Sequence, residues 1–163
     1  MAKEYYAMKM AKIDWIRGHI SLFDTLLDVG CSDKGVWVDS PYKPTTVDNN
    51  PAWEPDIVAD AHKLPLDDNS YDVVSLTEIL EHVEDDKRCL LEAYRVARKK
   101  VVVTVPWEEM WAEGYGKFKN PDHVRYYTPD SFEEFIGGLG LIYSIDIIKW
   151  GGFMWIGAEI YKR

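Results

Sequence analysis

Short runs of consecutive apolar residues recur along the chain at Leu26–Val29, Thr45–Val47, Ile57–Ala59, Tyr71–Leu76 and Val101–Val105. They are continuous instead of alternating, which is the pattern of strands covered on both faces. Three of them end in or just before an aspartate, at Asp28, Asp48 and Asp60. Between Leu80 and Arg98 the apolar positions Leu80, Val83, Leu90, Leu91, Tyr94 and Ala97 fall mostly at helical spacing, with acids early and Arg95, Arg98, Lys99 and Lys100 late. That pattern predicts a crossover helix whose dipole is matched by its end charges.

Thr128 followed by Pro129 and Asp130 predicts an N-cap with proline at the first helical position, and the segment through Ile136 closes at Gly137 and Gly138. Leu141–Trp150 and Phe153–Lys162 read as two strands joined at Gly151 and Gly152. The expectation is therefore an α/β fold: a doubly wound, mostly parallel sheet that ends antiparallel. Asp33–Pro44 and Asn49–Asp56 are too short and too rich in Pro, Gly and Asn for full crossover helices, so the first crossovers are expected to be shortened or missing. Met1–Ile20 mixes Lys3, Lys9, Lys12 and Arg17 with apolar positions and reads as a helical cover over the sheet or a ligand; contact with nucleic acid is the other reading.

With 163 residues the chain is expected to form one domain, spanning 1–163. Its 28 acidic and 19 basic residues give a net charge of -9, which opposes general adhesion to nucleic acid or anionic lipid. Two cysteines in a chain of this size predict neither a disulfide framework nor a cysteine zinc site, and no apolar run has the length of a membrane span. A cytoplasmic protein is expected.

The first candidate site is Leu26-Leu27-Asp28-Val29-Gly30-Cys31-Ser32-Asp33-Lys34-Gly35. A strand ends there in a small-residue turn, where backbone can approach a ligand closely. Asp48, twenty residues beyond Asp28, stands at the end of the next strand, where a carboxylate can accept both hydrogen bonds of an unphosphorylated ribose diol. The turn lacks a P-loop Gly-Lys-Ser/Thr and a complete G-x-G-x-x-G, which disfavours ATP and NAD.

Asp28-Val29-Gly30-Cys31, Asp48, Ile57–Leu66, Tyr71–Leu76, Glu78–Asp85 and Asp122–Pro129 together resemble, in order and spacing, the successive motifs of class I S-adenosylmethionine-dependent methyltransferases of the small-molecule type. The resemblance implies a Rossmann-like seven-stranded sheet with an antiparallel last strand, S-adenosylmethionine as cofactor and methyl transfer to an O, N or C nucleophile. By the same carry-over Asp28 and Gly30 meet the methionine end, Asp48 the ribose, Asp60 and Ala61 the adenine, and Thr77 borders the sulfonium; Cys31, Ser32 and Asn49 are further cofactor-binding positions. Ser32 departs from the family by standing where a second glycine is usual, and the short crossovers imply an open site or one closed by another subunit, as in a homodimer. Cys31 is read as a backbone contact, not a nucleophile.

His82 and His123 are the candidate catalytic residues, as proton acceptors or as donors that orient the acceptor, with helix capping or loop anchoring as the structural alternative. Glu78, Glu81 and His82 would share one face if a helix already ran from Glu78; with His123 they form an alternative metal set similar to that of RNA 3′-terminal 2′-O-methyltransferases. The primary expectation is no metal and a small-molecule acceptor. A metal-assisted RNA enzyme and a cofactor-binding module without turnover are the alternatives. Trp107, Trp111, Tyr115, Phe118, Tyr126 and Tyr127 make the loop before Pro129 aromatic, suited either to a lid or to packing. His19 and His62 read as surface or packing residues.

Overall fold

Strands β1 (Leu26–Val29), β2 (Thr45–Asp48), β3 (Ile57–Val58), β4 (Tyr71–Thr77), β5 (Ala97–Pro106), β6 (Ile142–Trp150) and β7 (Phe153–Tyr161) form one sheet of order β3-β2-β1-β4-β5-β7-β6. The structure is a computed structural model and describes residues 2–111, 120–150 and 152–163. β1 is parallel to β2 and β4, β2 to β3 and β4 to β5, whereas β7 runs antiparallel between β5 and β6. The register Trp150 to Phe153 closes the predicted hairpin. Gly151 lies outside the described residues.

The central strands β1, β4 and β5 are rich in Val and Leu because both of their faces are buried. Leu27, Val29, Val74, Leu76, Val101 and Val103 point into one cluster, together with Leu90, Ala93 and Val96 of helix α2 (Asp86–Val96) and Phe132 and Ile136 of helix α3 (Pro129–Gly137). Leu26, Val73 and Val102 face the other side, under Ile16 of helix α1 (Ala2–Gly18) and Ile20 just beyond it. At roughly 2–5 kcal/mol for truncating a buried aliphatic and 3–5 for a buried Phe, either layer is enough to decide whether the chain folds. The cover expected from the first twenty residues is thus helical. Among the described residues no helix is long and apolar enough to cross a membrane.

Between β1 and β4 the crossovers hold turns and one 3-10 turn, Pro51–Trp53, capped by Asn50 accepting from the Ala52 N–H. The Thr128 cap also forms as expected. Its hydroxyl accepts from the Ser131 N–H, and the Ser131 hydroxyl oxygen accepts from the Thr128 N–H.

The helix expected from Leu80 instead starts at Asp86, with Asp85 accepting from the Arg88 N–H at 2.9 Å. The cause is Arg125, whose guanidinium donates to the carbonyls of Leu80, Val83 and Glu84 and so uses up acceptors that a helix would need. Arg98, Lys99 and Lys100 are not a helix end. They open β5 and pair with Asp72 at 3.0 Å, Asp24 at 2.7 Å and Glu159 at 2.6 Å.

Candidate functional site

Strand order reverses between β1 and β4, and in open α/β sheets that is where a crevice opens beyond the carboxyl ends of the strands. A cavity of about 490 Å³ lies there. Asp28, Gly30, Cys31, Ser32, Asp48, Asn49, Asp60, Ala61 and Thr77 all line it, and so does His82; His123 does not.

The turn after β1 folds back because the N–H groups of Gly30 and Cys31 both donate to the Val47 carbonyl, at 2.8 and 3.1 Å. Gly30 has φ +75, and a Cβ there would sit 2.5 Å from Cδ1 and 3.1 Å from Cγ1 of Ile79. Only glycine fits the position without displacing that side chain. Ser32 adopts φ +44 with its N–H donating to Asp48 Oδ2 at 3.0 Å. A non-glycine residue in the left-handed region costs about 1 kcal/mol. Ser32→Gly is expected to raise stability by up to ~1 kcal/mol if the relief of strain exceeds the added freedom of the unfolded chain; urea unfolding checks this, and a clear loss would contradict the strain.

Burial pushes Asp28 from the usual carboxylate range up to about 7; the Trp37 and Ser75 side chains beside it offset only part, and Asp48 adds repulsion. Burial likewise raises the Cys31 thiol to about 11, so at neutral pH it is no nucleophile. Asp48 is braced by the Ser32 N–H on one oxygen and the Asn50 N–H, at 2.9 Å, on the other. Asp60 accepts from the His62 N–H at 2.9 Å and stands 2.6 Å from His62 Nδ1, which together hold its carboxyl below the usual range.

His62 therefore belongs to the cavity wall instead of the surface, a role its sequence setting does not signal. Lys12 and Ile13 of α1 also reach the cavity and have no sequence signal beyond helical spacing.

The segment expected to be a helix face from Glu78 is a turn. Glu78 has φ +53, and its N–H donates to the Thr104 carbonyl at 3.0 Å. Its Oε2 accepts from Trp155 Nε1 at 3.1 Å and pairs with Lys12 Nζ at 3.2 Å. The turn nevertheless brings donor atoms of Glu81, His82 and His123 within 4.8 Å of one another, while Glu78 is drawn away to Trp155 and Lys12.

His82 Nδ1 lies 3.2 Å from the Asp122 carbonyl, which ties the 120–124 loop to this turn. The His82 and His123 rings meet edge to face, 4.5 Å between centroids. His123 Nε2 is 3.0 Å from Asn120 Nδ2, and its Nδ1 stands 2.8 Å from Glu108 Oε1. Burial lowers the His123 imidazole against the pull of Glu108, so the ring stays neutral near pH 7. Burial, then Glu78, raises Glu81 well above the carboxylate range. Glu108 enters from the 3-10 turn Glu108–Trp111, and no spacing in the sequence links it to His123.

Of the aromatic loop, Tyr115 and Phe118 lie outside the described residues. Tyr127 is packing, not lid: it is buried against Phe132 and its hydroxyl donates to Asp86 at 2.6 Å.

A doubly wound sheet with acids at three adjacent strand ends around one switch-point cavity is the arrangement in which such folds take nucleoside-containing ligands. Residues 27–105 match the model of a family described as the methyltransferase domain. A methyltransferase of Thermotoga maritima, described as a possible histamine N-methyltransferase, superposes with a TM-score of 0.74 at 14% identity over 94% of this chain and 89% of that one. One from Aquifex aeolicus gives 0.68 at 18% identity over 91% and 88%. The Burkholderia thailandensis 1,6-didemethyltoxoflavin-N1-methyltransferase, solved with its namesake acceptor and S-adenosylhomocysteine, gives 0.70 at 14% over 96% and 78%. At these identities the likeness to each is one of fold. No curated protein matches the chain in sequence. Residues 27–105 thus carry a methyltransferase domain, on the Rossmann-like fold and strand order of class I S-adenosylmethionine-dependent methyltransferases.

Proposed function

We propose that this chain is an S-adenosylmethionine-dependent methyltransferase of a small-molecule acceptor, with the cofactor across the β1–β4 crevice and the acceptor's nucleophile held at the turn that carries Glu78 and His82. The observation behind this reading is that nine residues from four strand ends and their turns line one cavity, which meets the imidazole–carboxylate cluster at His82. The side-chain-free cradle at Gly30 and the braced Asp48 fit an adenosyl group with a free ribose diol. Bound S-adenosylmethionine supplies a methyl group on a sulfonium, whose C–S bond breaks, leaving the pair on sulfur, as the acceptor's bond to the methyl carbon forms.

Asp28, Asp33, Asp48, Asp60 and Glu78 give the cavity an acidic wall that favours a cofactor carrying ammonium and sulfonium charge. The cofactor's own carboxylate needs a cation, and Lys12 is the one lysine or arginine among the described residues lining the cavity. Lys12→Met is expected to weaken S-adenosylhomocysteine binding about tenfold or more, the worth of a charge-assisted hydrogen bond. Binding of 5′-methylthioadenosine, which lacks the amino-acid tail, should be unchanged; equal losses for both would contradict the role.

Catalysis then consists of holding the acceptor in line with the methyl carbon and relieving it of its proton at the cluster that His82 and His123 form. The Thermotoga and Burkholderia proteins, whose names refer to small nitrogenous acceptors, support a small acceptor, as does the net charge of -9. Incubation with methyl-labelled cofactor and fractionated cell extract tests this. Label is expected in the low-molecular-weight fraction. Label in RNA would overturn the acceptor class, and binding without transfer to any fraction would make the chain a cofactor-binding module.

A further inference from the structure

Five buried side-chain atoms in the cluster behind the cavity wall at Glu78 and His82 lack a protein partner: Glu78 Oε1, both carboxylate oxygens of Glu81, Glu108 Oε2 and His123 Nδ1, which stands 2.8 Å from Glu108 Oε1 but out of line for a hydrogen bond. Glu81 is the sharpest case. It is 1% exposed, and apart from its own backbone N–H neither oxygen meets a donor. The energetics decide what this means. Burying a carboxylate without a counter-charge is unfavourable, and protonating it only replaces an orphaned acceptor with an orphaned donor. Two other acids of the sheet have cations: buried Asp72 takes Thr25, Arg98 and Lys99, and half-buried Glu159 takes Lys100. Lys12 pairs with Glu78, and Arg125 is taken up by the carbonyls of Leu80, Val83 and Glu84.

We infer that Glu81, His82 and His123 bind one divalent transition-metal ion, with Glu108 beside it. The three supply one oxygen and two imidazole nitrogens within 4.8 Å of one another, the span of ligands around a single ion. Two nitrogens and one carboxylate favour Mn²⁺, Fe²⁺ or Zn²⁺ over Mg²⁺ or Ca²⁺, which take all-oxygen shells. His82 is exposed and lines the cavity, so an entry path exists and the ion's open positions face the place proposed for the acceptor. The inference rests on the proposed function only in its consequence: an oxygen or nitrogen donor of the acceptor would be fixed on the ion and made more acidic, its proton leaving to solvent, with His82 and His123 acting as ligands in place of proton acceptors.

The test uses the full chain stripped with chelator and titrated calorimetrically with MnCl₂, ZnCl₂ and MgCl₂ in the absence of cofactor. The expected result is saturable uptake of one Mn²⁺ per chain, tighter Zn²⁺ and at least about tenfold weaker Mg²⁺. Glu81→Gln and His82→Ala should each weaken Mn²⁺ binding about tenfold or more, while Glu134→Gln on exposed α3 changes nothing. His82 is exposed, so its variant folds and decides the matter should Glu81→Gln misfold. No saturable uptake, or uptake untouched by His82→Ala, overturns the inference. S-adenosylhomocysteine titrated into the same samples separates the two readings: cofactor binding without metal binding sinks the ion alone.

Discussion

Replacing Asp48 with alanine is expected to remove cofactor binding, with a loss of about a hundredfold or more in S-adenosylhomocysteine affinity. Asp48 is locked by the Ser32 and Asn50 N–H groups, so its carboxylate is pre-oriented and keeps lone pairs for a ribose diol. Two hydrogen bonds to a charged acceptor at about 1.5–3 kcal/mol each give that factor. The readout is the rise in melting temperature on adding the cofactor product, since a ligand that binds only the folded state stabilises it by RT ln(1 + [L]/Kd). Asp48 is only half-buried, so the variant's own melting point should move little. An unchanged ligand-induced shift would remove the ribose site from Asp48.

The second large effect concerns Asp28 and pH. Its folded-state pKa of about 7 lies above the unfolded value of 3.8, so between those limits the folded chain holds a proton that the unfolded chain has released. Stability from this group is therefore greatest at the acid end, falls as pH rises from about 4 to 7, and is flat above. About three pKa units correspond to ~4 kcal/mol as an order of magnitude. Asp28→Asn is expected to be more stable than the wild-type chain at pH 8 without ligand, by up to a few kcal/mol. The gap should close near pH 4, and the variant should bind the cationic cofactor more weakly. Urea unfolding at pH 5 and 8 measures both ends; a gap that does not change with pH would contradict a buried, proton-holding Asp28.

Much of this arrangement could be read from sequence because its causes are local. Continuous valine runs mark strands covered on both faces, the Thr128-Pro129 pair marks a helix start, and acids at the tips of β1 and β2 and just past β3 mark the crevice. The start of α2 could not be read. Leu80 and Val83 keep helical spacing, but Arg125, far along the chain, takes the carbonyls that would have continued the helix. The lysines and arginine after Val96 are likewise explained only by Asp24, Asp72 and Glu159, which the sheet brings alongside. Glu108, Lys12 and His62 reach the site from a loop, a covering helix and a turn, where position depends on tertiary packing and leaves no periodic trace.

The most direct measurement is a crystal structure of the full chain grown with S-adenosylhomocysteine. The adenosyl group should lie in the β1–β4 crevice, with both ribose hydroxyls on Asp48, the adenine beside Asp60 and Ala61 and the tail carboxylate reaching Lys12. A ligand bound elsewhere, or a crevice closed by the chain's own side chains at saturating ligand, would contradict the account.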